Sequence, residues 1–256
     1  MISKNKISEL KKLSQKKFRE ERGLFVVEGT KSVCDLLASS LPIEELFATE
    51  AWTEAHRDEL SHVPFTVVTS AELERITALS TPQAVLAVVR TPHYTTADLD
   101  RKSFLLVLDG IRDPGNLGTI IRTADWFGIR QIVCSPDCVE WTNPKTIQAT
   151  MGSFTRIHIV ECELVDFLQH QKPTIPVYGA FMAGEDIRSV HFEKNSILVI
   201  GNEGNGISPA VANCVTTRIH IPSFSPTTEH AESLNASIAA AVSMYEMCRN
   251  LSYENK

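Results

Sequence analysis

The chain has 256 residues, 43% of them hydrophobic and 22% charged, with a formal net charge of −6. A chain of this length buries roughly 70–75% of its unfolded surface, so it needs neither a disulfide frame nor a metal to fold. Its composition excludes disordered, collagen-like and coiled-coil chains, and its longest apolar runs, at 197–201 and 238–242, are far too short to span a bilayer. The first 22 residues, MISKNKISELKKLSQKKFREER, lack the apolar core of a secretory leader. Six cysteines (Cys34, Cys134, Cys138, Cys162, Cys214 and Cys248) form no C-x-x-C pair. They are expected to be reduced core or surface thiols of a cytoplasmic protein.

In chain order, Ile7, Leu10 and Leu13 recur at helical spacing between lysines, which predicts a helix over 3–18. A buried strand follows at 24–29 and a helix at 30–40. Strands at 43–49 and 65–69 enclose a helix at 52–60. A helix from Ser70, read as its cap, runs to 78, and a strand follows at 84–89. The polar, aperiodic stretch 91–103 contains Pro92 and the linker, placed at 96–103. It divides a first domain over 1–95 from a second over 104–256. FLLVLDG, at 104–110, is the continuous apolar strand of a parallel sheet. Helices are expected at 116–127, 144–150, 164–171 and 232–249, with strands at 131–134, 156–160, 176–181, 196–201 and 219–221. Strands alternating with helices mean an α/β layer fold in both halves.

Charge is unevenly spread. Residues 1–22 hold eight basic side chains against three acidic ones, a local +5 that leaves −11 on the rest. A basic head on an acidic body suggests a local polyanion contact. Lys11, Lys12, Lys16, Lys17, Arg19 and Arg22 are the candidate polyanion-binding side chains. A solvated helix face explains the same charges equally well.

Three loops follow strands, where open α/β sheets place ligands. The first, DGIRDPGNLGTIIRTAD over 109–125, has three glycines and carries Asn116 and Arg122. The second, IGNEGNGIS over 200–208, is a glycine-rich turn with Asn202 and Glu203, followed by Ser208 as a possible helix cap. The third, over 219–246, brings Ser233 and Asn235 to the mouth of a helix, where Ser233 is a candidate N-cap. Neither G-x-G-x-x-G nor the Walker pattern occurs, which argues against a dehydrogenase-like nucleotide enzyme. His93, His158 and His230 share no helix face with a carboxylate at ligand spacing, so no metal site is expected.

Taken together, D-P-G-N-L-G-T-I-I-R-T-A, then G-N-E-G-N-G-I, then I-P followed by E-S-L-N-A-S resemble the SpoU (TrmH-like) family of RNA 2′-O-ribose methyltransferases. The likeness covers about 104–245. The first 95 residues, with G-L-F-V-V-E-G at 23–29, look like that family's small α/β/α RNA-binding domain. The third motif departs from the pattern: nine residues separate Pro222 from Glu232, longer than the family's spacing, and Ser223 stands where the family has methionine.

The resemblance implies a Rossmann-like parallel sheet with a deep trefoil knot over roughly 196–246, a fold that periodicity does not reveal. It implies S-adenosylmethionine as cofactor, held by Gly201, Asn202, Gly206, Ile221 and Leu234, and no metal. It implies methyl transfer to a ribose 2′-hydroxyl, with Arg122, Asn116, Glu203, Ser233 and Asn235 as the catalytic set. A guanidinium stays protonated in proteins and makes a poor general base. Arg122 is therefore read as stabilising the developing alkoxide and gripping a phosphate, with Glu203 anchoring the loop or pairing with Arg122. A homodimer is implied, with Arg122 near the partner's loops and the helix expected at 232–249 as a possible contact. The RNA is expected to be ribosomal, with tRNA as second choice. A catalytically impaired RNA-binding or ribosome-assembly protein of the same fold is the alternative.

Overall fold

The computed structural model describes residues 2–171, 175–227 and 231–253. The chain divides into two compact units. The first holds residues up to His93 together with 140–156, and the second holds the rest.

In the first unit, helix α1 (Lys4–Lys12) and helix α2 (Lys16–Arg22) replace the single leading helix that periodicity predicts. The break has a local cause. Ser14 Oγ donates to the Lys11 carbonyl at 2.7 Å, and Gln15 turns extended to start α2. Strand β1 (Leu24–Glu28), helix α3 (Thr30–Leu37), strand β2 (Ile43–Ala48), helix α4 (Glu50–Ala55), strand β3 (Phe65–Val67), helix α5 (Ser70–Glu74) and strand β4 (Val85–Arg90) follow. The cap of α5 is Thr69 rather than Ser70, in a reciprocal box with Glu72.

The sheet order is β1-β4-β2-β3, with β4 antiparallel to both neighbours and β2 parallel to β3. Alternation along the strands serves two cores. Phe25, Val27, Leu46, Ala48, Val85, Ala87 and Val89 pack on one face, and Val26, Phe47, Leu86 and Val88 on the other, with Ile7, Leu10 and Leu13.

Residues 140–156 belong to this unit, so the second domain is not the contiguous 104–256 that the sequence suggests. Helix α7 (Pro144–Thr150) and a 3₁₀ turn (Ser153–Arg156) carry Ile147 and Phe154 into the core beside Phe25, with Trp141 packed against it. Two core side chains and a tryptophan outweigh sequence adjacency.

The expected linker is also corrected. Leu99 is buried in the second unit's core, and Gln131 brackets Asp100, donating to its carbonyl and accepting from its amide.

The second unit is built on strands β5 (Leu105–Asp109), β6 (Gln131–Cys134), β7 (His158–Glu161), β8 (Val177–Asp186), β9 (Ile197–Gly201) and β10 (Thr217–His220). All neighbours are parallel, in the order β10-β8-β9-β5-β6-β7. Every residue of β5 and β6 is buried, as strands covered on both faces require. Helices α6 (Pro114–Trp126), α8 (Leu164–Gln171), α9 (Pro209–Ala212) and α10 (Ala236–Tyr253) complete the unit. α10 packs against α6 and also reaches β9. It begins four residues later than periodicity predicts, because Asn235 caps it.

From β5 the chain runs outward to β6 and β7, then crosses to the other side for β8, β9 and β10. The order reverses between β5 and β9, whose ends Asp109 and Gly201 are in register. That crevice is where an open parallel sheet accepts ligands. No described helix is long and apolar enough to cross a membrane.

Candidate active site

The three loops meet at one residue. Asp113 caps α6, its Oδ1 accepting from the Asn116 amide at 2.8 Å, with Pro114 at the first helical position. Asn116 is thereby presented at the end of β5. Its Nδ2 donates to Glu203 Oε1 at 2.5 Å, and its Oδ1 accepts from Asn235 Nδ2 at 3.0 Å. One amide thus ties all three sequence motifs into a polar row, Glu203–Asn116–Asn235.

The second loop is a closed unit. Asn202 and Gly206 exchange backbone hydrogen bonds at 2.9 and 3.0 Å, and Gly206 has a φ of 67°. Asn202 Oδ1 accepts from the amides of Gly204 and Asn205, while its Nδ2 donates to the Gly110 carbonyl at 2.7 Å. Gly201 backs directly onto the closing residues, so a Cβ there would overlap the Gly206 carbonyl carbon and the Ile207 nitrogen.

Asp109, buried at the end of β5, accepts from the Ser208 amide at 2.7 Å. It fixes the exit of this loop, a role that its place at the head of the first motif does not reveal in the sequence. Ser208 holds the cap position of α9 but makes no side-chain cap bond.

In the third loop Asn235, not Ser233, is the helix cap. Its Oδ1 accepts from the amides of Ser237 and Ile238 and from Ser237 Oγ. Ser233 lies exposed before the helix. Leu234 is 47% exposed, and Ile221 is half-buried just past the end of β10. His230 lies outside the described residues. Among the described residues no group of three His, Cys, Asp or Glu side chains is arranged to hold a metal.

Arg122 does not join this row. It lies six residues beyond Asn116, about 9 Å along the helix and about 240° around it. Glu203 accepts from Asn116 and Asn202, so of the two roles read from the sequence, anchoring the loop or pairing with Arg122, the pair is not made among the described residues. Arg122 is exposed and forms no hydrogen bond or ion pair among the described residues. One turn on, Trp126 is 86% exposed, and on the packed α10 Ile238, Val242 and Tyr245 form an exposed stripe at helical spacing.

The basic head also sorts itself. Lys11 and Lys12 are exposed at the end of α1, while Lys16, Lys17 and Arg22 are exposed and face Glu20, Glu21 and Glu9. Arg19 is corrected: only 3% exposed, it forks onto Glu140 at 2.7 and 3.2 Å and donates to the Leu13 carbonyl. Removing one partner of a buried pair leaves the other charge uncompensated. Arg19→Met should therefore cost about 3 kcal/mol in urea unfolding, whereas Lys11→Ala and Lys12→Ala should each stay within about 0.5 kcal/mol.

The model of the SpoU rRNA Methylase family matches residues 103–245, and that of the MRM3-like substrate binding domain matches 4–87. The chain is 29% identical over 244 residues to the 23S rRNA (guanosine(2553)-2′-O)-methyltransferase RlmP of Bacillus subtilis, covering 94% of this chain and 95% of that one. Among solved structures, a TrmH-family protein from Porphyromonas gingivalis superposes with a TM-score of 0.88 at 35% identity, covering 97% of this chain and 99% of that one. The AdoMet-bound rRNA methyltransferase from Sinorhizobium meliloti gives 0.86 at 29%, covering 98% and 97%. The family match spans more than half of the chain and falls on the loops that Asn116 joins; the chain belongs to the SpoU rRNA methylase family.

Proposed function

We propose that the chain transfers the methyl group of S-adenosylmethionine to a ribose 2′-hydroxyl of structured RNA, ribosomal RNA ahead of tRNA. The observation that carries this reading is the Glu203–Asn116–Asn235 row at the crevice between β5 and β9. The residues fit the cofactor. Ile221 and Leu234 offer apolar surface for an adenine, and Glu203 supplies a negative charge suited to a sulfonium. The second loop, with Gly201, Asn202 and Gly206, offers a rigid turn of backbone. When bound, the cofactor supplies an electrophilic methyl on sulfur.

The chain's own residues do the rest. Asn116, locked by its two neighbours, orients the ribose, and Ser233 and Asn235 close the site. Arg122 neutralises charge developing on the 2′-oxygen and grips the adjacent phosphate, with that phosphate or a water taking the proton. The exposed lysines of α1 and α2 hold the RNA backbone. The names of RlmP and of the Sinorhizobium protein support RNA and this cofactor. The packing of α10 on α6 and β9 is compatible with a knotted threading of the C-terminal part.

Arg122 sits beside an uncovered apolar face, and this supports a homodimer through α6 and α10 in which each chain lends Arg122 to its partner's crevice. Ile238→Asp combined with Tyr245→Asp should give a species of one chain's mass, 28.4 kDa, by light scattering. Because both positions are half exposed, the melting temperature of that variant should fall by no more than the loss of dimer contacts explains.

The proposal is tested by incubating the protein with labelled S-adenosylmethionine and unmodified 23S or 16S rRNA, then digesting to nucleosides. A 2′-O-methylnucleoside is the expected product. A base-methylated nucleoside would overturn the ribose assignment. Failure to bind the cofactor with rRNA present would favour the alternative of an RNA-binding protein.

A further inference from the structure

We infer that Ser135, Asp137 and Cys138 are positioning residues, a clamp that fixes the turn at Gly110–Ile111 and through it both the aim of Asn116 and, by way of the Gly110 carbonyl that Asn202 holds, the seat of the cofactor loop. The inference rests on the proposed reaction for its functional consequence, but its geometry stands without it.

The chain leaves β5 through Gly110 at a φ of 70°, a conformation suited to glycine. The turn has four backbone polar groups to satisfy, and all four are met from outside it. The Gly110 amide donates to Ser135 Oγ at 2.9 Å, and its carbonyl accepts from Asn202 Nδ2 at 2.7 Å. The Ile111 amide donates to Cys138 Sγ at 3.2 Å, and its carbonyl accepts from the Val139 amide at 2.8 Å. Ile111 is fully buried, so any of these left unpaired costs its whole desolvation.

The acceptors are themselves aimed. Ser135 Oγ donates to Asp137 Oδ1 at 2.6 Å, which turns a lone pair toward the Gly110 amide. The other oxygen of Asp137 takes Arg112 Nη2 at 3.3 Å, and the Ser135 hydroxyl together with Arg112 holds this carboxyl below its ordinary range. Cys138 Sγ donates to the Leu108 carbonyl at 3.4 Å. Its thiol is drawn down to about 7 by Cys134, then by Ser135 and the Ile111 and Gly110 amides, against the opposing effect of burial.

The consequence lies three residues on. Asp113 caps α6 and holds the Asn116 amide, so the path of 110–112 sets where the helix starts and where Asn116 points. Ser135 and Cys138 follow directly on β6, and anchoring a site loop to an adjacent rigid strand is how supporting residues preserve reactive geometry. In the sequence, Cys138 reads only as a reduced thiol.

The test measures amide hydrogen exchange over 108–113 in the full, ligand-free chain, and then calorimetric titration with S-adenosylhomocysteine. Cys138→Val removes the acceptor and adds one methyl group. It should speed exchange of the turn about tenfold, with the other β5 amides unchanged, and weaken S-adenosylhomocysteine about tenfold. Cys138→Ser restores an acceptor and should stay within about threefold on both readouts. Asp137, whose side chain is 54% exposed, can be truncated without opening a core cavity: Asp137→Ala should speed exchange at Gly110 about threefold.

Unchanged exchange in both Cys138→Val and Asp137→Ala would overturn the clamp. Faster exchange with undiminished ligand affinity would overturn its positioning role. A wild-type chain that binds no S-adenosylhomocysteine would instead overturn the proposed function, and the exchange data would still decide the clamp.

Discussion

Arg122→Ala should lower the single-turnover rate of methyl transfer by about 10²–10³-fold, the usual cost of removing one donor aimed at a developing oxyanion. Its affinity for S-adenosylmethionine should stay within about twofold of wild type, since a group acting mainly on transition-state charge leaves ground-state binding nearly intact. The structure sharpens this expectation. Arg122 is solvent-exposed and free of partners among the described residues, so its removal breaks no contact that holds the fold. A melting temperature equal to wild type should accompany the loss of rate.

Arg122→Lys keeps the charge but not the planar fork, and should fall between the two. A variant that turned over at the wild-type rate would remove Arg122 from the reaction. One that lost rate and cofactor affinity together would place the guanidinium against the cofactor instead.

The elements that positioned themselves in the sequence were those whose cause is local. FLLVLDG reads as a doubly covered strand because every residue of β5 is apolar up to Asp109, and it is one. The glycine and asparagine content of the three loops singles them out in the sequence, and Asn116, Glu203 and Asn235 meet. What periodicity missed was set by distant partners.

Residues 140–156 leave the second unit because Ile147 and Phe154 find a core beside Phe25, more than a hundred residues earlier. Arg19 counts as one more basic residue in a charged run until Glu140 is seen to face it. Ser233 and Asn235 are both good helix caps by type. Only the position of Asn116 decides that Asn235 takes the role, since it then serves the helix with Oδ1 and the site with Nδ2. The third motif's lengthening changes the loop before Glu232, and the Asn116–Asn235 bond is made in spite of it.

Gly201→Ala should remove cofactor binding altogether by calorimetry, an expected loss of more than about 10²-fold. The cause is steric: a methyl group there has no space except that held by the Gly206 carbonyl carbon and the Ile207 nitrogen. Those atoms are backbone, pinned by the paired bonds between Asn202 and Gly206 and by Ser208 on Asp109, so the loop opens instead of yielding a side chain. Overpacking of this kind costs about 3 kcal/mol in stability, and a well-folded wild-type binder in its place would mean that the loop is softer than these bonds imply.

The same variant decides where Arg122 acts. If each crevice takes its arginine from the other chain, mixed dimers of Gly201→Ala and Arg122→Ala contain one crevice with a sound loop and a sound arginine. Co-expressed chains should then recover about half of the wild-type turnover per mixed dimer, although each parent is inactive. If the mixture stays as inactive as its parents while mixed dimers are present, Arg122 serves the crevice of its own chain, and the apolar face of α6 and α10 has no part in catalysis.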